Sequence, residues 1–407
     1  MTTTKNNEHK KLNAPNLRFP EFEGEWEEHY LSDYLDFKNG LNPKPDKFGK
    51  GIKFISVMDI LNNAIITNDC IRASVDVSEE ELQNFCVGYG DILFQRSSET
   101  LEDVGRANVY MDDKPAVFGG FVIRGKKKAE FNPLFFRDLL ASPFARKKII
   151  PMGAGAQHFN IGQEGLNKVK LNFPNLKEQE KIGRFLTLLD KRIATQSKVI
   201  EDLKTLKSAI IEKHYSQVKK RTTCIADLGE PFSVGSLAKD DLTEIGSPCV
   251  IYGELFTTYG EIIFHIESCT NKTDGMILSK KGDLLFPSST TVDAMSLIAR
   301  SVINVDGVVL GGDMFGIHIS HNYNAQYLSY YFNHIAKKQL AKFAKGSTII
   351  HLHYTDIEKA KLLLPSLEEQ NRMAKCLVAL DKKVSVEQNL LSSLTCQKSY
   401  LLQQMFI

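Results

Sequence analysis

Hydrogen-bond donors gathered near glycine-containing loops are the residues of this sequence best suited to chemistry, and the chemistry they suit is recognition. In the first half these are Arg96, Ser97, Ser98, Arg106, Lys126, Lys127, Lys128, Arg146, Lys147, Lys148, Gln157, His158 and Asn160. In the second half Lys280, Lys281, Ser288, Ser289, Thr290, Thr291, Lys337, Lys338, Lys345, Ser347, Thr348 and His351 fall in corresponding places. Lys and Arg supply phosphate contacts, while Arg, Gln, Asn, Ser and Thr read base edges. Each half is therefore expected to carry a nucleic-acid-facing surface.

Machinery for a reaction is not legible. No G-x-x-x-x-G-K-[ST] phosphate loop occurs, and "GAGAQH" is too short a match to a dinucleotide loop and leads into a strand-like segment. The Asn/Asp-Pro-Pro-aromatic motif of amino-methyltransferases is missing. Asp91 with Asp112 and Lys114 comes nearest to a metal nuclease, but the second half offers Asp283 with no matching D-x-K. His351 and His353 stand two apart with no third ligand, which suits a surface strand better than a metal site. The expectation is no catalytic residue, no metal and no cofactor held by this chain. Seven cysteines without a CxxC pair read as reduced thiols.

The elements that must position the donors are written twice. "PNLKEQEKIGRFLTLLDKRI" begins at Pro174 and "PSLEEQNRMAKCLVALDKKV" at Pro365, 191 residues later. Asn175 with Glu178 and Ser366 with Glu369 have capping-box spacing, so each segment starts a helix. From there Ile182, Leu186, Leu189, Ile193, Ile200 and Leu203 step by threes and fours, and Met373, Leu377, Leu380, Val384, Leu391 and Leu394 repeat them. Such a heptad seam predicts two long helices packed on each other. Gln196 coincides with Glu387 and Lys207 with Lys398 as polar interruptions. Upstream, "GDILFQRSS" answers "GDLLFPSST", and "VFGGFVIRG" answers "VLGGDMFGI".

The chain thus divides into a flexible segment 1–21, a globular domain 22–173, a long helix 174–222, a second globular domain 223–364 and a closing helix 365–407. The fold class is α+β, with two homologous mixed α/β domains separated by paired helices in a pseudo-two-fold repeat. Because compact domains commonly have nearby termini, the helices should run antiparallel, and Gln196 should meet Glu387 near the axis. A net charge of +2 leaves any nucleic-acid attraction to local charge. The polar start and the lack of any membrane-length apolar run suggest a cytoplasmic protein.

At this point the sequence resembles the DNA-specificity subunit of Type I restriction-modification systems. The resemblance covers essentially everything after residue 15. It rests on "APNLRFPEFEGEWE", on "GDILF" with "GDLLF", on the glycine loop, and on "LNFPNLKEQEKIGRFLTLLD" with its echo "LLLPSLEEQNRMAKCLVALD". The resemblance implies two target recognition domains, each reading one half of a gapped double-stranded DNA sequence. It also implies helices that space the domains and dock two modification subunits, which use S-adenosylmethionine, and further restriction/translocase subunits that use ATP and Mg2+. The second copy departs in its loop, where "GSTIIHLHY" lacks the Gln-x-x-Asn of "GAGAQHFNI". A non-reading helical adaptor and a standalone nuclease are the alternatives from other classes.

Overall fold

The computed structural model describes residues 13–298 and 301–407, arranged as two compact units. Unit one holds the chain to Ser197 together with Asn389–Ile407, and unit two holds Lys198–Gln388. Both contain pieces of the two long helices, Leu176–Gln217 and Leu367–Gln404.

In unit one the strands Leu35–Asn39, Val122–Lys127, Ile92–Gln95 and Ala107–Val109 lie side by side in that order, all antiparallel. A smaller sheet places Phe48–Ile55 between Ser74–Val75 and the parallel strand Ala116–Phe118. Unit two repeats the plan. Gly229–Ser233, Met314–Ile319, Asp283–Pro287 and Ser301–Ile303 take the same order, extended by Ile262–Ile263. Its second sheet again has a parallel pair at its heart, Ser247–Ile251 with Val309–Gly311. Two short ladders are duplicated as well: Glu27–Tyr30 with Lys170–Phe173 answers Arg221–Cys224 with Lys361–Leu364.

The Glu-Gln pair in each repeated motif acquires its reason here. Gln179, 3% exposed, donates from Nε2 to the Pro174 carbonyl at 3.0 Å and accepts from the Asn132 amide at 3.1 Å. Gln370, 1% exposed, does the same with Pro365 at 2.9 Å and Asn324 at 3.0 Å. Asn132 and Asn324 in turn cap the short aromatic-rich helices Pro133–Ala141 and Ala325–Tyr331. One buried amide thereby ties the start of each long helix to the domain before it, and leaving its partners unsatisfied would cost about 1–3 kcal/mol.

The glutamates differ from the capping-box expectation. Asn175 Oδ1 accepts from the Glu178 amide at 3.0 Å, but the Glu178 carboxylate turns to Arg18, at 2.7 and 2.8 Å, and to the Trp26 indole at 3.4 Å. The Glu369 carboxylate meets His214 at 3.2 Å and Arg372 at 2.5 Å. Charged partners outcompete a neutral amide as donors. Arg18 belongs to the stretch expected to be flexible. Residues 1–12 of that stretch lie outside the described residues, whereas Asn13 bonds to Trp26 and Asn172, and the Leu17 amide to the Gln404 carbonyl.

Every seam position named above is buried or half-buried. In unit one Ile182 and Leu186 share a core with Leu401, Met405 and Phe406, and Asp190 pairs with Lys398. In unit two Ile211 packs with Met373, Ala374 and Leu377, Lys207 pairs with Asp381, and His214 meets Glu369. In each unit one helix number rises as the other falls, so the segments run antiparallel. Gln196 and Glu387 belong to different units; Gln196 is half-buried, and Glu387 is buried with Lys383 one turn before it.

Candidate nucleic-acid interface

Three segments meet at one end of each main sheet. In unit one the central segment is Arg96–Ser98, which continues the strand Ile92–Gln95. On one side Ser97 and Ser98 pair with Asn160 and Phe159, and the Ile161 amide donates to the Arg96 carbonyl at 2.9 Å. On the other side the Arg96 amide donates to the Phe121 carbonyl at 2.9 Å. Unit two has the same arrangement. Ser289 and Thr290 pair with His351 and Ile350, the Leu352 amide donates to Ser288 at 2.9 Å, and the Ser288 amide donates to Asp313 at 2.8 Å.

The hairpins beside these strands close alike. Ala154 and Asn160 exchange two backbone hydrogen bonds of 2.9 Å, and Lys345 and His351 exchange bonds of 2.9 and 2.7 Å. Glycine is required at the tips. Gly155 sits at φ +149° and Gly346 at φ +113°, and an added Cβ would lie 2.0 Å from the His158 or Ile349 carbonyl oxygen. Gln157, His158 and Asn160 project from one exposed tip, and Ser347, Thr348 and His351 from the other. This ladder aligns His351 with Asn160, although the loop sequence showed no such match. Both residues supply polar side-chain atoms from an exposed strand.

Several polar groups serve the scaffold. Ser97 Oγ donates to Asn160 Oδ1, and Arg96 reaches the Gly120 carbonyl at 3.2 Å. Thr290 Oγ1 accepts from the Val292 amide and the Ser296 hydroxyl, both at 3.2 Å. Ser288 is buried. Lys345 meets Asp356 at 2.5 Å, and that bond holds the Asp356 carboxyl below its usual range.

Other residues named from the sequence do not join these clusters. Lys126 lies toward the far end of Val122–Lys127, whose near end pairs Val122 with Gln95; four residues of strand separate them by about 13 Å. It lines a different hollow with Arg124, Lys127 and Lys128. Lys281 precedes the distant end of Asp283–Pro287, about 20 Å along the strand direction from Ser288. Lys148 is 3.6 Å from Glu28, and Lys147 is exposed on the same helix, Pro143–Ile149. Arg106 adjoins the strand, since its carbonyl accepts from the Gln95 amide, but its guanidinium is 2.7 Å from Asp103. Arg146 braces the same turn through the Glu102 and Val104 carbonyls, and burial, then the nearby Arg106 charge, lowers it to about 10.

The nuclease-like carboxylates are engaged by backbone. Asp91 accepts from the Gly88 and Lys127 amides, each at 3.0 Å, and burial raises it. Asp112 accepts from Asn68 at 2.9 Å and Lys114 at 3.0 Å. Among the described residues no group of three or more His, Cys, Asp or Glu could hold a metal ion, and no helix is long and apolar enough to cross a membrane.

The third segment carries no basic or amide side chain and so lies outside the donors singled out from the sequence. Phe121, 68% exposed, and Asp313, also exposed, occupy matching corners after Gly119-Gly120 and Gly311-Gly312. The repeated "GGF" and "GGD" were the available signal.

The family model described as Type I restriction modification DNA specificity domain matches residues 23–205 and again 223–395. A provisionally named type I restriction enzyme MjaX specificity subunit of Methanocaldococcus jannaschii is 23% identical over 93% of this chain and 92% of its own length. The MjaVIII specificity subunit of the same organism is 22% identical over 91% and 89%. In fold, the S subunit of a Type-I restriction-modification system from M. genitalium superposes with a TM-score of 0.61 at 16% identity, covering 97% of this chain and 99% of that one. With two copies of the motif, each carrying the same ladder, hairpin and corner, the chain belongs to the Type I restriction modification DNA specificity domain family.

Proposed function

We propose that this chain is the non-catalytic DNA-reading subunit of a Type I restriction-modification complex. Each domain reads one half of a bipartite, gapped double-stranded target, and the helix pair sets the gap and docks two modification subunits. Those partners use S-adenosylmethionine, restriction/translocase subunits use ATP and Mg2+, and the complex works in the cytoplasm. The observation that carries this reading is the duplicated triad of segments, in which identical backbone bonds hold different exposed side chains. A shared scaffold with unlike tips suits two sites of one kind that read two sequences.

The test is selection from random duplexes by the full chain, alone and with its modification subunits. Enrichment of two short sequences at a fixed separation is expected. Selection of no sequence would favour an adaptor, and metal-dependent cutting by the isolated chain would favour a nuclease.

A further inference from the structure

The corner residue of each domain has a chemistry opposite to that of its counterpart. Phe121 and Asp313 accept the same hydrogen bond from the neighbouring strand, at 2.9 Å from the Arg96 amide and 2.8 Å from the Ser288 amide. Backbone hydrogen bonds hold both corners. The Val122 amide donates to the Gly119 carbonyl at 2.8 Å, and Gly312 holds φ +94° with its amide on the Gly235 carbonyl at 2.9 Å. A backbone bonded in this way places each exposed side chain one strand away from the hairpin tip before any ligand arrives. Neither residue suits phosphate, because a carboxylate repels it and a phenyl ring offers it no hydrogen bond.

We propose that this corner determines one base of each half-site, with Phe121 meeting a thymine and Asp313 a cytosine in the major groove. The assignment rests on the DNA-reading function above and deepens it. A carboxylate only accepts, and cytosine presents the N4 amino donor without an adjoining acceptor on the same base. Adenine sets its N7 acceptor beside the amino group, and guanine and thymine present acceptors, so each would face the Asp313 oxygens unfavourably. A phenyl ring gains from the thymine C5-methyl, which cytosine lacks.

Random-duplex selection by the full chain with its modification subunits tests this. Asp313→Asn should lose cytosine preference roughly 10- to 100-fold at one position of one half-site and admit adenine there. Asp313→Glu should retain cytosine. Phe121→Ser should lose thymine preference at one position of the other half-site. In each case the untouched half-site serves as the folding control. Unchanged preferences in Asp313→Asn and Phe121→Ser overturn the assignment while leaving the DNA-reading function standing, and so does loss spread evenly over both half-sites. Should the parent complex select no sequence, both readings fall.

Discussion

Lys207 reaches Asp381 at 2.8 Å, and its counterpart Lys398 reaches Asp190, so each long helix gives a lysine in one unit and accepts one in the other. The domains complete the two sites differently. In unit one Arg137 meets Asp190 at 2.7 Å, whereas in unit two the Tyr330 hydroxyl donates to Asp381, and Glu261 meets Lys207 at 2.9 Å. A polar group within an apolar seam fixes register, since a slip by one turn would strand the charges.

Glu261 makes unit two sensitive to acid. Burial alone would raise its carboxyl, but hydrogen bonds from His334 and Lys207 and the lysine charge outweigh it and hold Glu261 at about 2. A folded-state pKa below the unfolded value contributes stability that is present above about 4.5 and is lost as pH falls toward 2. Glu261→Gln should therefore be less stable than the parent at pH 7, with the gap closing below pH 4.5. Urea titrations across that range check the convergence.

At the second hairpin, Gly346→Ala forces a side chain into a left-handed backbone and onto the Ile349 carbonyl. The expected cost is roughly 1–3 kcal/mol, confined to the loop. Selection at one half-site should weaken while the other stays intact, and the thermal midpoint should fall by roughly 2–4 °C for each kcal/mol lost.

The last residues of the chain close the first core. Phe406, 1% exposed, has its ring 5.6 Å from that of Phe135 and 6.3 Å from that of Trp26. Phe406→Ala should cost about 3–5 kcal/mol, seen as a lower denaturation midpoint. A shift under 1 kcal/mol would mean that this end packs loosely.

The helix pair as a ruler predicts a change of gap. Inserting a heptad after both Ile200 and Leu391 keeps the seam in phase and adds about 10 Å, or roughly 3 base pairs. Selection should yield unchanged half-sites at a wider separation, or a loss of tight binding if the domains cannot follow the added rotation. Tight binding at the original gap would assign the spacing to the partner subunits.

Periodicity alone exposes the duplication, the two helices and their seam, because a period of threes and fours records which face of a helix is buried wherever its partner lies. Leu186 and Leu377 could be read as buried without knowing what covers them. The closing of the fold sets Lys207 against Asp381, turns Glu178 to Arg18 rather than to its own cap, and returns Phe406 to the first core. It also decided that His351 stands where Asn160 does, and that Phe121 and Asp313 flank the strands. Those pairings join residues far apart in the chain, and no local period records them. They arise when strands and helices close on one another and each buried polar group must find a partner across the fold.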